Sequence, residues 1–238
     1  MCTVSLIPIS ENDFILTSNR DEAIGRKTLF PEFYQEQGIR MLYPKDAVAG
    51  GTWIGVGEKN TLVCLLNGGF KNHKRLPNYR QSRGVVVKDL LIADDVENCL
   101  QSYDCHDIEP FTIVVVNWTK GLQFFELVWD GVEKHVQQLP KEPRIWSSST
   151  LYTKEMKKHR MQWFEDFSAE AMMTSDSLLK FHKEGGVGDE DMDLVMDRGV
   201  LKTCSITQVS KRNEAITMRY EDLQKQEISL TTFEAITA

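Results

Sequence analysis

The first twenty residues constrain the fold most, because they read as a β-hairpin that ends in polar residues. The apolar runs "TVSLIPI" and "DFILTS" flank "SEN", a segment of turn-forming residues. If residues 2–8 pair with residues 13–19, the numbers of two paired residues sum to about 22. Cys2 is therefore expected beside a polar cluster made of Asn19, Arg20 and Asp21.

The rest of the chain indicates an α+β protein with antiparallel sheets. Strand patterns recur in "GTWIGVG", "TLVCLLN", "FTIVVVNW", "LQFFELVW", "VEKHVQQL", "KTCSITQVS" and "EAITMRYE". Helical spacing is found in "GVVVKDLLIADD", "KEMKKHRMQWFEDF" and "SDSLLKFHKEG". Strands at both ends with helices between them favour sheets covered by helices. We see no repeat and no linker, so residues 1–238 are predicted to form a single domain.

Composition and charge narrow the function. The chain has 28 lysines and arginines against 35 acidic residues, and its net charge of -7 disfavours broad binding to nucleic acid or to an anionic membrane. No apolar run approaches the roughly 20 residues of a transmembrane helix. The start "MCTVSLIPISEN" does not read as a signal peptide. Five scattered cysteines favour a reducing compartment, so a cytoplasmic protein is expected.

Neither a metal nor a cofactor is predicted. The acidic segment "GDEDMDLVMDRG" lacks the glycine and glutamate that a calcium loop needs at its sixth and twelfth positions. Cys99, Cys105 and His106 lack the paired short spacings of a zinc site. The segment "GGTWIGVGEKN" lacks the third glycine and the following helix of a dinucleotide fingerprint.

Cys2 carries the chemistry that the hairpin suggests. Methionine is usually trimmed before a small residue, and trimming would leave a cysteine with a thiol and a free α-amine. The thiolate is the nucleophile, and an α-amine with a pKa near 7.7–8.0 can take up the thiol proton. Arg20 would favour the thiolate, and Asp21 could hold the amine. The alternative is a small buried cysteine at a strand start, with "NRDE" as a polar turn.

Several segments in order resemble one known family. They are "MC" at the start, "SNRDE" at residues 18–22, "GGTWIG" at 50–55, "LLNGG" at 65–69 and "SRG" at 82–84. This set is similar to the NRDE family, the transport and Golgi organisation protein group. The ordered matches span residues 1 to about 94, and "TCSIT" is a weaker match later in the chain.

The resemblance implies a fold and a set of roles. The family is similar to N-terminal nucleophile hydrolases, so a four-layer αββα sandwich is expected. The related penicillin and bile-salt acylases also begin with "MC" and carry an Asn-x-Asp pattern. The resemblance implies Cys2 as nucleophile and Asp21 as the ligand of its amine, with Arg20 polarising this end. In "NGG", Asn67 and Gly68 resemble the oxyanion donors of cysteine amidotransferases.

The chain departs from the acylase pattern at three places. An arginine just before the Asn-x-Asp is replaced by Ser18, a later asparagine by Ser148 or Ser149, and a late arginine by Lys202. Lysine keeps the charge but not the bidentate fork of arginine. The predicted substrate-binding residues are Asn19, Gly68, Trp53, Arg83, Ser148 and Lys202.

Two functions follow from these residues. The first is a cysteine N-terminal nucleophile-type hydrolase that cleaves a linear amide in a small-molecule substrate. The second is a binding or trafficking protein that keeps the fold for a lipid-like or cofactor-like ligand without turnover. A free Cys2 amine favours the enzyme, and a retained methionine favours the binding protein. The basic run at 71–83 is either a solvated loop or a lid for an anionic substrate. The oligomeric state is not predicted.

Overall fold

The structure is a computed structural model that describes residues 3–233. Within that range the chain forms thirteen strands and four helices. In chain order they are β1 (Thr3–Pro8), β2 (Phe14–Ala23), β3 (Thr28–Glu36), β4 (Ile39–Asp46), β5 (Ile54–Gly57), β6 (Thr61–Asn67), α1 (Arg83–Leu91), α2 (Val96–Ser102), β7 (Phe111–Asn117), β8 (Gln123–Trp129), β9 (Lys134–Leu139), β10 (Arg144–Ser147), α3 (Lys154–Glu170), α4 (Ser175–Glu184), β11 (Leu201–Arg212), β12 (Ala215–Asp222) and β13 (Glu227–Phe233).

The described residues divide into two compact units. The first contains residues 3–26 and 142–233, and the second contains residues 27–141. Each unit is built on its own antiparallel sheet. The single domain over residues 1–238 stays a prediction.

The described strands of the first unit form a six-stranded sheet in the order β10-β1-β2-β11-β12-β13. Strand β2 lies at its centre, between β1 and β11. Helices α3 and α4 cover one face of β1 and β2 through an apolar cluster. Its buried members are Ile7, Ile15, Phe164, Leu178, Phe181 and Leu194. Because these side chains lose their contact with water together, they hold both helices against the sheet.

The described strands of the second unit form a seven-stranded sheet in the order β3-β4-β5-β6-β7-β8-β9. Its central strands β6 and β7 consist largely of buried Val, Leu and Ile residues. The helix α1 packs very closely on β5. A Cβ atom added to Gly57 would lie 2.6 Å from the carbonyl oxygen of Leu91, so only glycine permits this approach.

The α+β architecture with antiparallel sheets confirms the prediction from sequence. The sequence analysis did not predict strands β3, β4, β10 and β13 or the short helix α2. Pro31 and Pro44 interrupt the strand pattern of β3 and β4. The edge strand β13 exposes Ile228 and Leu230, so its pattern lacks the usual inside–outside signal. Between residues 3 and 233, the chain has no helix that is both long and apolar enough to span a bilayer.

Candidate functional site

The register of the first hairpin is the one that the sequence predicts. Every pair between β1 and β2, from Thr3 with Asn19 to Pro8 with Phe14, has residue numbers that sum to 22. The proposed nucleophile Cys2 lies outside the described residues. Its placement beside the polar cluster therefore stays a prediction, whereas the strand that carries this cluster is described in full.

The polar residues of β2 point to opposite faces of the sheet, because side chains alternate along a strand. Asn19 and Asp21 share the face that α3 and α4 cover, since Asn19 bonds to His182 in α4. Arg20 lies on the other face and is opposite Ser205 in β11. All three side chains are buried. The predicted cluster is thus two separate polar sites, one on each face.

Asn19 belongs to a buried chain of hydrogen bonds. Its amide nitrogen donates to the carbonyl oxygens of His182 and Leu194 at 3.0 and 2.7 Å, which fixes the orientation of the amide. Its amide oxygen lies 2.7 Å from Nδ1 of His182 and can only accept, so Nδ1 carries the proton. The other ring nitrogen, Nε2, then accepts a hydrogen bond from the Ser5 hydroxyl at 2.6 Å. This network locks one tautomer of a neutral histidine.

His182 is kept neutral by its surroundings. Burial lowers the pKa of the imidazole to about 3, and the nearby Arg160 guanidinium adds to this effect. A serine hydrogen-bonded to a neutral histidine resembles a nucleophile and its base, but both side chains have no exposed surface. The Ser5–His182–Asn19 chain therefore ties α4 to the sheet. Substrate binding by Asn19 stays a prediction.

Asp21 is held by two hydroxyl groups from different parts of the first unit. Tyr152 donates to Oδ2 at 2.5 Å, and Thr203 donates to Oδ1 at 2.6 Å. The Arg160 guanidinium lies over the Tyr152 ring at 3.5 Å from its centre. Because both oxygens are bonded, the plane of this carboxylate is fixed.

Arg160 was not predicted as a functional residue, although it is fully buried. It donates to the carbonyl oxygens of Met192 and Asp193 and to the hydroxyl of Thr3. Its position in α3 is one turn before the buried Phe164, which puts it on the buried side of the helix. That spacing was a signal in the sequence, because a charged residue on an apolar helical face requires partners.

Arg20 lies on the opposite face among polar side chains. Its guanidinium is 3.5 Å from the carboxylate of Glu22, which in turn is 3.8 Å from Arg26. Ser205 and Thr207 in β11 lie on this face, and both are buried. Their hydroxyl groups have no hydrogen-bond partner among residues 3–233. A buried arginine beside uncommitted hydroxyl groups can hold an anion or a thiolate.

The "TCSIT" segment is where β11 deviates from a regular strand. The register with β2 shifts between Thr203 and Ser205, so Cys204 is the extra residue of a bulge. Burial raises the pKa of the Cys204 thiol, and the Arg20 guanidinium partly offsets this increase. The bulge allows Thr203 to reach Asp21 while Ser205 lies opposite Arg20.

The two predicted replacements later in the chain also lie in the first unit. Ser148 is buried, and its carbonyl oxygen accepts from the amide of Tyr152, so this turn positions the tyrosine that reaches Asp21. The neighbouring Ser149 accepts a hydrogen bond from Lys157 at 2.7 Å. Lys202 pairs with Asp197 at 2.6 Å. Its charge is therefore already neutralised within the first unit.

The predicted oxyanion donors lie in the second unit. Asn67 is the last residue of β6, as the sequence predicts, and Gly68 follows with φ of 85°, a conformation that favours glycine. The Gly68 amide donates to the carbonyl oxygen of Pro110 at 2.9 Å. Donation from Gly68 to an oxyanion would have to replace or share this bond. The roles of both residues stay predictions.

The other family motifs of the second unit meet one another. A Cβ atom on Gly84 of "SRG" would lie 2.8 Å from the carbonyl oxygen of Thr52 in "GGTWIG", so the two segments are in backbone contact. Arg83 donates to the Pro110 carbonyl at 3.2 Å, the same oxygen that accepts from Gly68. Trp53 is buried, and its carbonyl accepts from Leu65 at 2.8 Å. Substrate binding by Trp53 and Arg83 stays a prediction.

Comparison with known proteins decides the family. A family model described as "Transport and Golgi organisation 2" matches residues 1–223. The chain belongs to this family. A mouse "Transport and Golgi organization 2 homolog" is 31% identical over 91 residues, which are 37% of this chain and 32% of that protein. The match thus covers about a third of that relative's length. The resemblance seen in the sequence is confirmed.

Three solved structures have a similar fold. Penicillin V acylase from Agrobacterium tumefaciens has a TM-score of 0.59 at 9% identity, with 96% of this chain and 85% of that chain covered. A Caenorhabditis elegans N-acylethanolamine-hydrolyzing acid amidase ortholog also scores 0.59, at 12% identity over 87% and 92%. A variant of conjugated bile acid hydrolase from Clostridium perfringens scores 0.55 at 10% identity over 97% and 92%. The predicted N-terminal nucleophile hydrolase-like fold is confirmed.

Proposed function

We propose that this family member is a cysteine N-terminal nucleophile-type hydrolase that cleaves the amide bond of a small linear substrate. The observation that carries the proposal is the β1–β2 register, which is constant over all six described pairs. Continued by one position, it pairs residue 2 with Arg20. By strand alternation, residue 2 would then share the face of Arg20, Ser205 and Thr207.

The surroundings of this position suit a thiolate and an amine. The buried guanidinium of Arg20 lowers the pKa of a neighbouring thiol, and a thiolate is the reactive form. Asp21 is adjacent in β2, and Tyr152 and Thr203 fix its orientation. An ionised carboxylate can accept about four hydrogen bonds, so these two donors are compatible with a role in holding the α-amine of residue 2.

The proposed reaction begins after removal of Met1. The Cys2 sulfur bonds to the amide carbon while its proton moves to the α-amine. Collapse of the tetrahedral intermediate breaks the C–N bond, and the ammonium proton goes to the leaving amine. Water then attacks the thioester, releasing a carboxylic acid and restoring the thiol. The resemblance implies Asn67 as an oxyanion donor, and loss of such a donor costs about 3–4 kcal/mol of transition-state stabilisation.

The test compares trimmed and untrimmed protein. Intact mass first establishes whether Met1 is removed. Mass-resolved alkylation at pH 7 should then label Cys2 of the trimmed form fastest, because burial raises the pKa of Cys99, Cys105 and Cys204 and Cys64 has no exposed surface. Cys2→Ala should abolish hydrolysis of an N-acyl amide panel, whereas the matched variant Cys99→Ala should retain it. Slow, equal labelling of all five cysteines would contradict the proposal.

A second candidate is a binding protein without turnover, and one contact favours it. Lys202, which stands in the place of an arginine of the acylases, forms a 2.6 Å ion pair with Asp197 instead of serving as an uncommitted cation. The ligand would be lipid-like or cofactor-like. Retention of Met1 in the natively produced protein, with ligand recovered by mass spectrometry and no turnover, would favour this candidate over the enzyme.

A further inference from the structure

The segment at residues 70–83 of the second unit has a charge opposite to that of the rest of the chain. It contains five lysines and arginines and no acidic residue, whereas the remaining sequence has 23 basic and 35 acidic residues. Apart from an isolated bridge at Gln81 and the start of α1, it has no regular secondary structure. A local group of exposed cations can attract an anionic partner even though the net charge of the protein is negative.

Part of this segment is fixed to the second unit. Arg83 and His73 lie 3.2 and 3.3 Å from the carboxylate of Glu109, and Arg80 pairs with Asp104 at 3.3 Å. The pairs of Arg83 and Arg80 neutralise two charges of the segment, and the His73 contact adds a further attachment. These contacts attach the segment to the second unit at His73, Arg80 and Arg83, and the residues between His73 and Arg80 are mostly exposed.

The remaining cations point to solvent. Lys71 and Lys74 are exposed, and neither has an ion-pair partner within residues 3–233. Arg75 is 79% exposed, and its contact with Glu109 is long, at 3.9 Å. Three positive side chains within five residues are therefore available to an outside partner.

Large apolar side chains are exposed beside these cations. Phe70 and Leu76 are each 57% exposed, and Val132 in the neighbouring β8–β9 turn is 83% exposed. The two loops are in contact, since a Cβ atom on Gly69 would lie 2.9 Å from Cα of Asp130, and the Phe70 ring lies 4.9 Å from that of His135. Apolar tips next to lysines are typical of segments that enter the headgroup region of a bilayer.

We propose that the 70–76 segment, together with Val132, docks reversibly on an anionic phospholipid surface. Lysine and arginine side chains attract the headgroups, while Phe70, Leu76 and Val132 enter the boundary with the acyl chains. A nucleic acid would also attract the cations, but two of the three apolar tips are aliphatic and cannot stack on bases. The inference does not depend on catalysis by Cys2.

Vesicle flotation of the full chain tests the proposal. The protein should float with vesicles of phosphatidylcholine containing about one-third phosphatidylserine and not with pure phosphatidylcholine. Raising the salt from about 0.1 to 0.5 M should weaken binding, because exposed charges are screened. Equal binding to both vesicles, or no binding to either, would overturn the proposal.

Two variants with matched controls locate the surface. Lys71→Glu with Lys74→Glu should reduce partitioning by about tenfold or more, whereas Lys120→Glu with Lys141→Glu makes the same charge change on other exposed loops and should not. Phe70→Ser with Leu76→Ser should also reduce it, whereas Ile228→Ser with Leu230→Ser, similarly exposed on β13, should not. Thermal melting confirms that each variant is folded.

Each remaining outcome has a definite meaning. Full retention of binding by the Phe70 and Leu76 variant would overturn insertion of the apolar tips. Equal loss in the Lys120 and Lys141 control would assign binding to net charge and overturn the location. Binding of a short single-stranded RNA that is lost with Lys71→Glu and Lys74→Glu, without vesicle binding, would replace the lipid by a nucleic acid.

Discussion

The centres of the two sheets are equally buried but chemically opposite. Strand β2 of the first unit buries five consecutive polar residues, Thr17 to Asp21. Strand β7 of the second unit buries Ile113 and three valines in a row. Burial of aliphatic side chains is favourable without any partner, whereas each buried polar group costs free energy unless it is hydrogen-bonded. The first sheet therefore depends on helices and loops that supply partners, and the second depends on shape and volume.

The largest loss of stability is expected on substitution of Arg160, because this buried side chain makes hydrogen bonds to several groups. Arg160→Met should destabilise the protein by about 4 kcal/mol, because it leaves the carbonyl oxygens of Met192 and Asp193 without their donor and uncovers the Tyr152 ring. Urea unfolding measures the change. The matched variant Arg212→Met, at an exposed end of β11, should change stability by less than about 0.5 kcal/mol. Similar losses in both variants would contradict the dependence of the first sheet on the hydrogen bonds of Arg160.

A slightly smaller effect is expected at Asn19. Asn19→Ala removes the acceptor of His182 Nδ1 and the donor to two carbonyl oxygens, so we expect a loss of about 3 kcal/mol in urea unfolding. Asn117→Ala at the end of β7 is the control: this amide is also buried, but its partners are in the adjacent turns at Asn60–Thr61 and Thr119 rather than in a distant helix, and a loss of about 1–2 kcal/mol is expected. A larger loss at Asn117 would contradict the importance of the polar centre.

The polar sheet should also respond to pH. The folded-state pKa of His182 is about 3, well below its ordinary value of 6.5, so the unfolded chain binds the proton first as pH falls. Stability is complete above about pH 6.5 and should fall by about 2 kcal/mol on going to pH 5, at close to 1.4 kcal/mol per unit. His182→Gln should flatten this slope while lowering stability at pH 7. An unchanged slope in that variant would assign the pH dependence to other groups.

The smallest changes in stability are expected when a polar side chain is placed in the second sheet or an apolar one in the first. Val115→Thr in β7 places a hydroxyl in an apolar centre and should cost about 1–2 kcal/mol. Thr207→Val in β11 removes a buried hydroxyl that has no partner among the described residues, so it should be neutral or stabilise by up to about 1 kcal/mol. A clear loss from Thr207→Val would indicate that this hydroxyl binds ordered water or a ligand.

Local patterns were sufficient for much of the fold. The turn "SEN" and the alternation of its flanking runs predicted the β1–β2 register, because one slipped residue would exchange the two faces. The helices α1, α3 and α4 followed from their spacing, and the family followed from the order of short motifs. Strands β3 and β4 were missed because prolines and exposed charges obscure an edge region.

The candidate site was predicted only in part. The sequence identified the polar strand but treated Asn19, Arg20 and Asp21 as one cluster, whereas the pleat separates Arg20 from the other two. It gave no role to Tyr152 or His182, which lie more than 130 residues away from their partners in β2. Contacts at such separations carry no local periodicity, so no sequence window reveals them.

The sequence by itself determined which polar and charged side chains the protein has, and the tertiary structure decided which of them already bind another group of the protein. The sequence predicts Asn19 and Lys202 as ligand-binding residues. In the structure, Asn19 is hydrogen-bonded to His182 and Leu194, and Lys202 forms an ion pair with Asp197. Arg20 keeps a polar face with two hydroxyl groups that have no partner within residues 3–233. The physical reason is that a buried polar group takes whichever partner the fold brings within about 3 Å, and only packing sets that partner.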